Sequence, residues 1–202
     1  TGSIKTLSDH LCNSALILEE KLSPQKVLDL GCNDFVFLKN FKNKESVVGV
    51  DPSDVSFRSK LDDIELINEF FNSEVSESIK KDYGQFDLIF SSNNFAHINE
   101  IRDYLEGIVN LLSEEGEFVF EVHWARTLIK NKQYGFLYHE HAYYHTIKSL
   151  QLFLEEFGLY IYDCNFIDIH GGSIRVFASK NKKEQTQELK SLIEIERKDG
   201  MY

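Results

Sequence analysis

Two stretches constrain this chain more than any others: Lys26 to Asp34, KVLDLGCND, and Val47 to Ser53, VVGVDPS. Val27, Leu28 and Leu30 form a short apolar run that stops at Gly31, the pattern of a buried parallel strand ending in a tight turn. About twenty residues further on, Val47, Val48, Gly49 and Val50 repeat that pattern and end in Asp51. A strand–helix–strand unit of this spacing brings Gly31 and Asp51 together at the carboxyl ends of neighbouring strands, where open α/β sheets bind their ligands. The crossover is expected to be a helix from Phe35 to Phe41.

The remaining segments extend this unit. Apolar residues at Ile4, Leu7, Leu11, Ala15, Leu18 and Leu22 predict a helix over 3–22, closed by Pro24 and lying across the ligand end of the first strand. Strands are expected at 64–67, 86–91 and 117–123, and helices at 73–81, 98–112 and 148–157. A closing pair of strands follows, Leu159 to Ile169 and Ser173 to Ala178, joined through His170, Gly171 and Gly172. Alternation of strand and helix means a parallel sheet covered on both faces, and the final hairpin adds one antiparallel strand. The fold class is therefore a doubly wound, mostly parallel seven-stranded α/β sheet. The reading divides the chain into a main domain over 1–180 and a charged helix over 181–202. That helix carries a thin stripe at Leu189, Leu192, Ile193 and Ile195, which suits a partner surface or the start of a further lobe.

At 202 residues with 42% hydrophobic content, 16 Phe and 9 Tyr, the chain can fill one substantial core. A net charge of −11 with no basic cluster argues against a nucleic-acid partner, since phosphate attraction needs a basic surface. Cys12, Cys32 and Cys164 form neither a CxxC pair nor a disulfide framework, no apolar run approaches the length of a membrane span, and a reducing cytoplasm is the expected compartment.

The first turn narrows the ligand. GxGxxG is absent, because Gly31 is followed by Asn33 and Phe35, and no P-loop Gly-Lys-Ser or Gly-Lys-Thr end is present. A ligand with a ribose and an adenine but no phosphate fits, and S-adenosylmethionine is the common one. Asp29 would order its ammonium, Gly31 and Asn33 would line the turn, and Asp51 would accept the two ribose hydroxyls. Phe70 and Phe71, after the third strand, would flank the adenine unless they are plain core, and Asn93, after the fourth, would add a polar contact. Asp51 also reads as a simple turn residue before Pro52.

Gln133 to His145, QYGFLYHEHAYYH, holds four tyrosines and three histidines between a strand and a helix, a candidate active-site wall rich in proton-transfer groups. His139, His141 and His145 with Glu140 also admit a metal-site reading, although spacings of two and four along a loop are not distinctive, and a structural reading as well. No metal is expected. His97, just past the fourth strand, would face the crevice. His170 and Arg175 are candidate substrate contacts, and Arg175 could equally pair with an acidic neighbour.

The sequence resembles the class I methyltransferases, and within them the sugar C-methyltransferases that modify nucleotide-linked deoxysugars. DLGCND, GVDPS, FDLIFSSNNFAHI, GEFVFEVH, LYHEHAYYH and IHGGSIRVF carry the resemblance. It implies Asp51 as the ribose ligand and Tyr138, Glu140 and His141 as the catalytic cluster. His141 would take the proton beside a keto group of the sugar, Glu140 would orient it or bind a hydroxyl, and Tyr138 would hydrogen-bond the developing enolate oxygen; His97, His139, His170 and Arg175 would meet the substrate. A sugar precursor of a bacterial surface polysaccharide is the expected acceptor. An O- or N-methyltransferase, and a donor-binding partner subunit without activity, remain open. Two departures stand out: Phe35 occupies the place of the family's last motif glycine, and the family's zinc-binding N-terminal lobe and C-terminal lobe have no counterpart here. The stretch would then be part of a longer chain, or its substrate would be smaller or held by a homo-oligomer or second subunit.

Overall fold

The computed structural model describes residues 5–58, 61, 63–137, 139 and 141–202. Tyr138 and Glu140, two of the three expected catalytic residues, lie outside the described residues, as do residues 3 and 4 at the start of the expected first helix. In chain order the elements are α1 (Lys5–Leu22), β1 (Lys26–Leu30), β2 (Ser46–Val50), α2 (Asp54–Arg58), β3 (Glu65–Ile67), α3 (Ser73–Tyr83) and β4 (Phe86–Ser92). They continue with α4 (Ile101–Leu111), β5 (Leu112–His123), α5 (Ala125–Lys130), α6 (Ile147–Glu155), β6 (Tyr160–Ile167), β7 (Ser173–Ser179) and α7 (Gln187–Lys198).

Among the described residues seven strands form one sheet in the order β3-β2-β1-β4-β5-β7-β6. Pairings among β1 to β5 are parallel, and β7 runs antiparallel between β5 and β6. The expected architecture is therefore the observed one. The chain leaves β1 to one side for β2 and β3 and to the other for β4, so the crevice of the switch point opens above the carboxyl ends of β1 and β4. Two apolar layers cover the sheet. One packs Phe95, Tyr104, Leu105, Ile108, Leu150 and Leu154 of the α4 and α6 side; the other packs Leu11, Ala15 and Leu18 of α1 with Phe35, Phe37 and Leu38.

The segment after β1 corrects the expected helix over 35–41. Asn33 and Phe35 both have left-handed backbones, with φ of 49° and 59°, and only a 3₁₀ turn at Leu38–Asn40 follows. The physical reason lies in the side chains. Phe35, Val36, Phe37 and Leu38 are all buried, which a helix on a sheet surface cannot achieve for four consecutive residues. The segment instead forms an apolar plug, with Phe37 stacked on Phe90 at 3.9 Å between ring centroids. Phe35 thus keeps a left-handed backbone of the kind glycine favours while its ring fills the core.

The charged helix expected over 181–202 runs only from Gln187 to Lys198, and it starts there because Thr186 caps it by accepting a hydrogen bond from the Leu189 N–H. Leu189 and Leu192 of its stripe are buried in the main core, whereas Ile195 stays exposed. Glu196, fully buried, accepts the Trp124 indole N–H at 2.5 Å and the Ile147 N–H at 2.7 Å, so the last helix also caps the first turn of α6.

The left-handed backbone at Phe35 yields a test. Truncating a fully buried Phe costs about 3–5 kcal/mol, and relief of the positive φ returns about 1 kcal/mol when the replacement is glycine. Phe35→Gly should therefore be about 1 kcal/mol more stable than Phe35→Ala in urea denaturation, reversing the ordinary order of these two residues. Equal stabilities, or Ala above Gly, would contradict the conformational reading.

Candidate active site

The turn after β1 begins with Gly31 at φ 85°, where any side chain would be strained, and a Cβ there would stand 3.2 Å from the Asn94 side chain and press on it. Asn33 donates its backbone N–H to Asp51 Oδ2 at 3.0 Å, and Ser53 donates to Oδ1 at 2.8 Å. The Asp51 carboxylate therefore ties the two turns together. Each oxygen still has acceptor capacity for one further donor, which is what a ribose diol presents. Asp29 lies beneath, nearly fully buried, and burial, then the charges of Asp51 and Glu121, hold its carboxyl well above the usual range. A cationic group arriving here would be stabilised by Asp29 and Asp51.

Glu121, near the end of β5, is the centre of a buried polar knot. Its carboxylate receives Arg175 Nε at 2.9 Å and Nη2 at 2.7 Å, His10 Nε2 at 2.9 Å, and the Ser92 hydroxyl at 2.7 Å. Arg175 Nη2 also donates to Ser14 Oγ. Burial alone would raise the Glu121 carboxyl, but the His10 hydrogen bond and then the Arg175 charge prevail and hold it at about 2. The register explains the pair, since Glu121 and Arg175 are directly opposite across β5 and β7. The knot extends to the site through Asn93, whose side chain donates to Ser92 Oγ at 3.0 Å and whose backbone N–H donates to the Glu121 carbonyl at 2.9 Å, fixing a left-handed residue with φ of 53°.

Asn93, His97, His123, His141, His170 and Phe136 meet around a cavity of about 130 Å³ at the carboxyl end of β4 and β5. The His97 and His141 rings are edge to face, 4.8 Å between centroids. His141 Nδ1 lies 3.1 Å from the Phe136 carbonyl, which can only accept, so Nδ1 carries a proton. Tyr144 donates its hydroxyl to the same carbonyl at 3.1 Å. Burial, before any other cause, pushes His123 and His170 below the ordinary imidazole range and His145 down to about 4, so these rings stay neutral at physiological pH.

The structure thus brings together Asp29, Gly31, Asn33, Asp51 and Asn93 at the strand ends, and His97, His141 and His170 around the adjoining cavity. His139 is exposed and does not line it. Phe71 turns into the core, edge-on to Tyr104 at 5.2 Å, so the expected flanking pair is reduced to Phe70, 79% exposed. Arg175 is buried and committed to Glu121 because of its position opposite that residue, and it does not line the cavity. His10, Ser92, Glu121 and His123 were not anticipated. Glu121 had a legible signal, a lone charge inside the apolar run of GEFVFEVH.

Residues 9–163 match a family described as a methyltransferase domain. C-methyltransferase NovU of Streptomyces niveus is 36% identical over 155 residues, which cover 76% of this chain and 37% of that protein. The chain therefore spans little more than a third of the length of this curated relative. Magnesium protoporphyrin IX methyltransferase of Synechocystis PCC 6803, solved with bound SAH, superimposes with a TM-score of 0.60 at 13% identity, covering 85% of this chain and 82% of that one. The PH0226 protein of Pyrococcus horikoshii OT3 superimposes at 0.63 with 16% identity, covering 87% and 92%. At these identities the two structures speak for the fold.

The depressed Glu121 carboxyl sets a pH dependence of stability. Its folded-state value lies below the unfolded one, so its contribution is complete above about pH 4.5 and is lost as pH falls toward about 2. By linkage that contribution is on the order of 3 kcal/mol. The stability difference between the parent protein and Glu121→Gln in urea should stay constant from pH 8 to 5 and shrink below pH 4.5. A difference independent of pH down to 3.5 would refute the assignment.

Proposed function

The chain belongs to the methyltransferase domain family, of the class I S-adenosylmethionine-dependent type, and on that premise we propose that it methylates a carbon beside a keto group of a nucleotide-linked sugar or similar small polar precursor. Building units of a bacterial surface polysaccharide are the proposed destination. The observation that carries the reading is His141, a histidine whose Nδ1 proton is directed to the Phe136 carbonyl, in a cavity that shares Asn93 with the nucleoside end of the sheet. The name of the Streptomyces relative, a C-methyltransferase, supports carbon as the acceptor atom.

When bound, S-adenosylmethionine supplies a methyl group on a sulfonium, open to in-line displacement. Asp51 would hold the ribose, Asp29 the methionine ammonium, and the Gly31 turn would let the backbone approach. His141 Nε2 would take the proton from the acceptor carbon, whose electron pair then forms the new bond to the methyl group. Tyr138, by resemblance, would donate to the oxygen on which charge develops, and Glu140 would orient the base or a sugar hydroxyl. The methyl donor carries positive charge at both its sulfonium and ammonium, which suits the acids Asp29 and Asp51.

Replacing His141 by Ala should lower turnover by roughly 10²–10⁴-fold, with S-adenosylhomocysteine affinity within a few-fold of the parent by calorimetry. Undiminished turnover would reject His141 as the base. Asp29 gives a second measurement. Its carboxyl is held above the usual range in the free protein, and a bound cation favours the ionised form, so donor binding should shift the group toward proton release. Calorimetry in two buffers of different ionisation enthalpy should register that release, and Asp29→Asn should abolish it; proton uptake would oppose the assignment.

A further inference from the structure

His123, the last residue of β5, stands at the carboxyl end of a central strand and forms part of the cavity wall beside His141. It is only 9% exposed, and its hydrogen bonding is determined step by step. The Gln133 side chain donates Nε2–H to the Gly171 carbonyl at 2.7 Å, which orients the amide and turns Oε1 toward the imidazole. His123 Nε2 lies 3.1 Å from that oxygen, so Nε2 carries the proton and Nδ1 the lone pair. Among the described residues Nδ1 is buried and has no hydrogen-bond partner. A buried acceptor left unpaired is costly, by the same reasoning that makes native structures pair nearly all of them.

The surroundings show what kind of group would satisfy it. Gln133 and Gly171 tie the ring to the β6–β7 connection, so Nδ1 cannot exchange roles with Nε2 without breaking two hydrogen bonds. Burial keeps the imidazole neutral, so it offers an acceptor and not a charge. The Phe136 ring crosses it edge to face at 4.3 Å, and the same residue's carbonyl orients His141, so a ligand that tilts Phe136 reaches both histidines. A cavity of about 130 Å³ is too small for a whole nucleotide-linked sugar and admits one polar edge of a ring.

We propose that His123 is a binding residue for the acceptor, taking a hydrogen bond at Nδ1 from a hydroxyl of the molecule that is methylated. The inference rests on the methyl-transfer reading and extends it, because it states that the acceptor presents a hydroxyl donor next to the reacting carbon. A hydroxyl held there fixes which carbon faces His141, and an analogue lacking it leaves Nδ1 unpaired in the complex.

Two substitutions separate this role from a structural one, since Gln imitates Nε2 of histidine and Asn imitates Nδ1. The probe is a nucleoside-diphosphate-linked keto-deoxyhexose, titrated by calorimetry into protein saturated with S-adenosylhomocysteine. His123→Gln, which keeps the bond to Gln133, should bind the probe about tenfold or more weakly. His123→Asn should bind it more tightly than His123→Gln does. Both should bind S-adenosylhomocysteine as the parent does, which also reports their folding. In the parent protein, the ¹⁵N resonance of His123 Nδ1 should move upfield when the probe is added. Parent-like probe binding by His123→Gln, weaker binding by His123→Asn than by His123→Gln, or an unmoved Nδ1 resonance would each overturn the proposal. A parent protein that binds no S-adenosylhomocysteine would instead refute the methyl-transfer reading, and this inference with it.

Discussion

The buried contact between Glu121 and Arg175 is the constraint on which the site depends. Two opposite charges face each other across neighbouring central strands, with His10 and Ser14 of α1 and Ser92 of β4 completing their hydrogen bonds. A buried pair of this kind contributes little net stability over an apolar pair, but leaving one member alone is severely destabilising. Its value is specificity of arrangement. The sheet cannot slip in register, and α1 cannot move off the strand ends, without exposing one charge to a partnerless interior. That fixed frame holds Asn93 in its left-handed conformation between the nucleoside end and the histidine cavity.

The acidic interior also has an electrostatic logic. Asp29 and Asp51 converge at one end of the sheet beside the paired Glu121, and the Asp29 carboxyl is held above its usual range. Acids so placed favour a cation at that end of the sheet. The histidine cavity beside it is the reverse case, where burial holds His123 and His170 below the ordinary imidazole range and carbonyl oxygens orient His123 and His141. Asn93 links the buried Glu121 knot to the histidine cavity.

Much of this was legible from residue patterns. The runs ending at Gly31 and Asp51, and the strand before Asn93, depend on local apolar continuity, and the mostly parallel sheet with one antiparallel strand followed from alternation and the Gly171–Gly172 hairpin. The segment at 35–38 was misread because a short apolar run looks alike in a helix and in a plug, and only the φ of Phe35 separates them. The partnership of His10, Glu121 and Arg175 spans 165 positions of the chain between its outer members. No local pattern encodes such a contact, although each residue's charge amid apolar neighbours marks it as needing one. His123 escaped notice because its meaning lies in Gln133 and Gly171, which fix its tautomer from two other segments.

Glu196 ties the last helix to the middle of the chain. One carboxylate on the last helix receives both the Trp124 indole at the start of α5 and the first amide of α6. These two helices bracket the stretch that carries Phe136 and His141. The final turn of α7, the opening of α6 and the start of α5 are therefore tied by one buried carboxylate. Although far along the chain from the histidines, the C-terminal helix thus anchors both helices that flank their stretch.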